Sequence, residues 1–173
     1  MNTTTLQNAR ATGINLEASV RDYLIFMDTS AFLYSNHEKF MHRVVPFLKK
    51  YNATIMVPSA VMAELMHLAP RLQAAVKAMK QIEAYTGEGA LRVLHSSERT
   101  CTADSAFVAL FAEQHAKHNL LLITDDLQLA TEVAGHVLGS ATAHAHSVKV
   151  ARIDAAGELQ PLQMPNIPEY SFH

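Results

Sequence analysis

Residues 23–33 read YLIFMDTSAFL, an apolar run that stops at Asp28, passes two hydroxyls, Thr29 and Ser30, and turns apolar again. A short run rich in strand formers that halts at polar residues reads as a buried strand with Asp28 at its carboxyl edge. Residues 120–126, LLLITDD, repeat the shape, ending on Thr124, Asp125 and Asp126. Strands that are apolar throughout, rather than alternating, belong to parallel sheets covered on both faces.

Other segments extend the pattern. ATIMVP (53–58) reads as a second buried strand, LRVLHS (91–96) as a third, and SVKVARIDAAGELQPL (147–162) as a last strand with a hairpin-like turn at Ala155-Ala156-Gly157. Helical spacing fills the gaps. Phe40, Val44, Phe47 and Leu48 mark one helix, with Pro46 able to kink it. SAVMAELMHLA (59–69) follows with Ser59 as its cap, then RLQAAVKAMKQIEAY (71–85), TADSAFVALFAEQHAKHN (102–119) with Thr102 or Asp104 as cap, and DDLQLATEVAG (125–135). Strands alternating with helices predict an α/β three-layer sandwich with a mostly parallel central sheet. Residues 1–20 read as an N-terminal arm outside the core, 21–160 as one domain, and 161–173 as an irregular tail containing MPNIPEYSFH.

The chain has 173 residues, 49% hydrophobic and 17% charged, which suits a self-sufficient core and argues against disorder. A single cysteine, Cys101, excludes an internal disulfide framework and fits a reducing compartment, so the expected location is the cytoplasm. The opening MNTTTLQNARATGINLEASVR lacks the basic head and apolar block of a signal peptide, and no apolar run is long enough to span a bilayer. With 14 Lys and Arg against 16 Asp and Glu, the net charge is -2, so any phosphate-binding surface must be a local patch.

In open parallel sheets ligands gather at the carboxyl ends of the strands, where Asp28, Asp125 and Asp126 are expected to meet. Glu64 is the lone acid of an apolar helix, and Asp104 lies in a first helical turn, where capping and the helix dipole also favour it. Carboxylates gathered at one edge repel one another unless a cation sits among them. Oxygen donors without a cysteine pair or an HExxH frame favour Mg²⁺ or Mn²⁺ over zinc. Such an ion lowers the pKa of water and offsets charge on a phosphate, so the chemistry implied is phosphodiester hydrolysis.

Four stretches, FMDTSAFL, VPSAVMAEL, TADSAFVALFAE and LLLITDDLQLA, occur in an order and with a local character that resemble a PIN domain over about residues 22–135. The resemblance implies a PIN-like fold for the domain and a metal-dependent ribonuclease, as in the toxins of toxin-antitoxin pairs and in RNA-processing enzymes. It places the family's four acids on Asp28, Glu64, Asp104 and Asp126, with Asp125 where the family often has another polar residue. Thr29, Ser30 and Thr124 match hydroxyls that would hold ligand carboxylates. An RNA substrate, a small inhibitory antitoxin and a homodimer are the partners the family implies, with no membrane.

Asp125 and Asp126 compete, one facing the metal and the other capping the helix; Asp126 is the preferred ligand. Lys39, Arg43, Arg71, Lys77, Lys80 and Arg99 could give RNA a landing surface, and each also reads as an ordinary solvated residue. The ten histidines, including His115, His118, His144 and His146, read as partly exposed helix and loop residues rather than metal ligands. The rival readings are a non-catalytic PIN-like binding module and a small metal-dependent phosphatase.

Overall fold

A computed structural model describes residues 13–95, 102–138 and 146–163. The elements in chain order are α1 (Leu16–Asp22), β1 (Leu24–Met27), α2 (Thr29–Tyr34), α3 (His37–Tyr51), β2 (Ile55–Pro58), α4 (Ser59–Leu68), α5 (Gln73–Gly87), β3 (Leu91–Leu94), α6 (Ala103–Gln114), β4 (Leu120–Ile123), α7 (Leu127–Leu138), β5 (Val148–Ile153) and β6 (Leu159–Pro161). Six strands form one sheet in the order β3-β2-β1-β4-β5-β6, parallel except for the β5–β6 pair. This is the α/β three-layer sandwich that the alternation of strands and helices predicts. Among the described residues no helix is long and apolar enough to cross a membrane.

From β1 the chain winds outward through β2 and β3, then crosses back to the other side of β1 as β4. The winding therefore reverses between β1 and β4, and in an open parallel sheet a crevice opens at the carboxyl ends of the strands at such a reversal. Leu24 pairs with Leu120 and Met27 with Ile123, so Asp28 and Thr124 leave the sheet side by side. Burial fixes that register. Every residue of β4 is fully buried, as are Ile25, Phe26 and Met27 to within 2%, and a slip of one residue would turn every side chain to the other face. Phe26 meets Phe111 of α6 with ring centroids 5.2 Å apart, locking helix to sheet.

Several expectations are corrected. Residues 14–20 are not an arm outside the core: Asn15 caps α1, Val20 is buried, Ile14 and Leu16 pack against the core, and the Ile14 amide donates to the Leu159 carbonyl. The sequence placed no helix directly after Asp28, yet α2 begins there and Asp28 itself caps it, accepting from the Ser30 amide. Pro58 rather than Ser59 occupies the cap position of α4. α3 continues through Pro46, which costs the His42 carbonyl its helical partner at a place where both residues are exposed. The domain runs on past residue 160, with Pro161 ending β6 and Leu162 packed on the core. Residues 164–173 of the expected tail lie outside the described residues.

The β5–β6 turn is held against α3 by a backbone approach that only glycine permits. Gly157 has φ +77°, and a Cβ there would lie 2.7 Å from Lys39 Cβ and 2.8 Å from the Phe40 nitrogen. Gly89 has nearly the same φ, +76°, but faces open space. Gly89→Ala should therefore carry only the conformational cost, about 1 kcal/mol, whereas Gly157→Ala adds an overpacking cost of about 1–3 kcal/mol. Urea unfolding of the two variants measures the difference; equal losses would show that the approach is not tight.

Candidate functional site

The site is built around Asp28, a carboxylate only 4% exposed at the end of β1. A buried charge of this kind must be compensated by hydrogen bonds. Its Oδ2 accepts from Ser30 Oγ at 2.8 Å, from Thr124 Oγ1 at 2.9 Å and from the Ser30 amide at 3.3 Å. Each hydroxyl has one proton, so with both given to Asp28 the 3.0 Å contact between Ser30 Oγ and Thr124 Oγ1 is not a further bond. The same hydroxyls accept in turn: Ser30 Oγ from the Asp125 amide and Thr124 Oγ1 from the Asp126 amide, both at 2.9 Å. One oxygen of Asp28 thus ties the end of β1 to the end of β4 and shapes the chain that leads into α7.

Glu64 reaches this edge from α4, where its Oε2 accepts from Thr29 Oγ1 at 2.7 Å. Asp126 caps α7, its Oδ1 accepting from the Gln128 amide at 2.8 Å and the Leu129 amide at 3.1 Å. Thr102 caps α6 by accepting from the Ser105 amide, which leaves Asp104 in the first turn without a capping bond. Burial pushes the Asp104 carboxyl above the ordinary aspartate range, and the charges of Asp126, Asp28, Glu132 and Glu64 push it further. The four acids separated in sequence therefore share one field, and the shift on Asp104 has no cation among its causes.

Glu132 was not anticipated. It is the lone acid in the body of an apolar helix, the argument that singled out Glu64, and applied to α7 it would have found Glu132. Asp125 and Asp126 do not divide their duties as expected. Asp126 both caps α7 and is the first-named charge acting on Asp104, whereas Asp125 is absent from that group. Burial raises the Asp125 carboxyl, Arg152 draws it down and Asp28 raises it again, so Asp125 belongs to the β5 side of the edge. Its Oδ2 is buried without a hydrogen bond.

The hydrogen bonds leave a pattern of open oxygens. Among the described residues, Asp28 Oδ1, Glu64 Oε1 and Asp126 Oδ2 accept no hydrogen bond, Asp104 accepts none on either oxygen, and none of the four acids is in an ion pair. No three His, Cys, Asp or Glu side chains among the described residues are placed to grip a metal ion together. The carboxylates line an edge and do not form a closed cage.

The basic residues are mostly engaged elsewhere. Lys39 Nζ donates to the Ala155 carbonyl, Arg43 pairs with Glu158 at 2.8 Å, and Lys77 pairs with Glu38. Lys39 and Arg43 thus staple α3 to the β5–β6 turn. Arg71 lies exposed in the α4–α5 turn, and Lys80 borders a crevice formed with Met62, Val76 and Met79. Arg99 lies outside the described residues, as does His144. His115 is buried, not partly exposed: its Nδ1 lies 2.9 Å from the Phe111 and Ala112 carbonyls of its own helix. No protein-family model matches the chain, and no curated protein matches it.

The raised Asp104 carboxyl has a consequence for stability. An acid whose folded pKa lies above its unfolded value destabilises the fold once ionised, a cost absent below the ordinary value of 3.8 and complete above the raised one. Asp104→Asn should therefore raise the melting temperature at pH 7, with the gain shrinking as the pH falls toward about 4. Thermal melts across that range test this; an unchanged or lower melting temperature at pH 7 would show that the acids do not strain one another.

Proposed function

We propose that the chain is a metal-dependent ribonuclease of PIN type, hydrolysing RNA phosphodiester bonds at the carboxyl edge of β1 and β4. The observation that carries this reading is the set of open carboxylate oxygens on Asp28, Glu64, Asp104 and Asp126 at one sheet edge, with no cation paired to them. That donor set fits a hard divalent cation. Mg²⁺ is commonly held by one or two carboxylates and several waters, so an open edge serves where a closed cage would not be needed. When bound, Mg²⁺ or Mn²⁺ lowers the pKa of water and offsets negative charge on the phosphate.

The chain's own residues set the geometry. Ser30 and Thr124 hold Oδ2 of Asp28 and so present Oδ1 outward, and Thr29 does the same for Glu64. The α7 amides hold Oδ1 of Asp126 and leave Oδ2 without a hydrogen bond among the described residues. Asp104, with both oxygens open and four acids acting on it, is the member of the set that a bound cation would relieve most. The attack on phosphorus needs no side-chain nucleophile, which agrees with the lack of a cysteine or a serine-histidine pair among these residues.

A polymer substrate is favoured over a small phosphate ester by the shape of the edge. Asp125 lines a groove of about 780 Å³ that runs along β5 and β6, and a second groove of about 580 Å³ follows the far end of α2. Asp154 borders both. Within this reading the chain acts in the cytoplasm, and a toxin would have a small inhibitory partner, whereas a processing enzyme would not.

Incubation of labelled single-stranded RNA with Mn²⁺ should give cleavage that EDTA abolishes. Hydroxyl and carboxylate partners of metal ligands are worth about 10–100-fold, so Asp28→Asn, which alters a ligand, should lower cleavage by more than about 100-fold. Mn²⁺ at about 100 times its Kd adds about 2.7 kcal/mol and should raise the melting temperature of the native chain by about 5–10 °C, but not that of Asp28→Asn. A metal-induced shift without cleavage of any RNA, with turnover of a phosphomonoester, would favour the phosphatase; no shift at millimolar metal would favour a binding module.

A further inference from the structure

Beside the acids, on the β5 side, lies a groove that holds Arg152 together with Asp125 and Asp154, the Asp154 oxygens being taken by the Ala156 and Glu158 amides and the Gln160 side chain. Thr124 donates its amide to the Ala151 carbonyl at 2.9 Å, so the next residue, Arg152, stands one strand over from Asp125 at the same edge. Ala151 and Ile153 are buried while Arg152 is exposed, which turns its side chain to the face that forms the 780 Å³ groove. Across the antiparallel pair Arg152 is in register with Gln160, and Gln163 follows two residues past the end of β6. Leu127, 46% exposed at the start of α7, forms the apolar part of the wall.

Arg152 differs from the cations that were the first candidates for RNA contacts. Lys39, Arg43 and Lys77 are bonded to the protein, whereas Arg152 makes no hydrogen bond or ion pair among the described residues. It lies near Asp125, yet the two do not pair, and the Asp125 Oδ2 remains without a partner. An arginine fork aimed into a groove is suited to two oxygens of one phosphate. The groove has room for a nucleotide, the Gln163 amide for a base edge and the Leu127 side chain for a base face, Gln160 being bonded to Asp154.

We propose that this groove binds single-stranded RNA next to the cleaved bond, with Arg152 holding the flanking phosphodiester and Leu127 and Gln163 meeting its nucleotide. This rests on the ribonuclease reading for its orientation toward the acids, but its charge and shape argument concerns binding alone. Arg152 is a positioning residue: it fixes the strand so that the neighbouring phosphate falls at Asp28 and Asp126, and it does not touch the reacting atoms.

The test separates the two claims. Binding of a fluorescent single-stranded RNA is measured in EDTA at several salt concentrations, and cleavage in Mn²⁺, for the native chain, Arg152→Gln and Arg152→Lys. Losing one phosphate contact should weaken binding about tenfold and reduce the slope of log Kd against log salt by about 1. KM should rise by the same factor with kcat within about twofold, and Arg152→Lys, which keeps the charge but not the fork, should restore the salt slope while recovering only part of the affinity. Because Arg152 is exposed and makes no hydrogen bond or ion pair among the described residues, the melting temperature should not change.

If the native chain binds and cleaves RNA while Arg152→Gln keeps its Kd, KM and salt slope, the groove proposal is overturned and the nuclease stands. If the native chain binds without cleaving and Arg152→Gln weakens it as stated, the groove is supported and the nuclease fails. A native chain that neither binds nor cleaves RNA overturns both.

Discussion

The structure of the edge depends on one carboxylate oxygen. Asp28 Oδ2 takes two hydroxyl bonds and an amide bond at a place that is 4% exposed. Buried ionised groups persist only where such bonds replace water, and removing one partner of a charged bond costs more than the bond adds. The hydroxyls that satisfy Asp28 belong to Ser30, the second residue of α2, and Thr124, beyond the end of β4. They also accept from the amides of Asp125 and Asp126, so the course of the chain into α7 follows from how Asp28 is satisfied. Strand register, helix start and acid placement are therefore one constraint seen at three points.

That constraint holds the protein in an electrostatically unfavourable arrangement. Asp104 is pushed up first by burial and then by four neighbouring acids, and its neighbours spend their hydrogen bonds on one oxygen each. A fold selected only for stability would place a lysine or arginine among them, as it does for Glu17, Glu38 and Glu158, each of which has a basic partner. The contrast within one molecule is informative: exposed acids are paired where pairing is worth little, and the clustered acids are left unpaired where it would be worth more. Retained strain of this kind is what the proposed cation site requires, since a bound ion would supply the missing counter-charge.

What the sequence made legible were features written in local pattern. LLLI and YLIFM declare buried parallel strands because both faces must be apolar, and the acids that follow are placed by strand ends alone. α2 was missed because six residues give too little periodicity, and its cap, Asp28, reads equally well as the end of a strand. α1 was missed because its capping signal, Asn15 with Glu17 in the first turn, precedes only one buried apolar residue, Val20. Glu132 was legible by the argument that singled out Glu64, as the lone acid in the body of an apolar helix, whereas Arg152 depended on the registration of β5 on β4. Lys39 and Arg43 were credible RNA contacts until the β5–β6 turn, anchored by Gly157, was seen to take up their charges.

The adjacent pair Asp125 and Asp126 shows how a sheet edge can serve two purposes. Beyond the end of β4 the two carboxylates have different neighbours: Asp126 acts on Asp104, whereas Asp125 is acted on by Arg152 and Asp28. Asp28, Glu64, Asp104 and Asp126 thus gather without a cation, whereas Asp125 has Arg152 beside it. A phosphodiester chain crossing β4 would meet attraction at Arg152 and repulsion at the acids. Only a cation on the acidic side would let two successive phosphates rest there together. Strand binding and metal binding would then be coupled through charge alone, without any movement of the backbone, because each reduces the repulsion that the other meets.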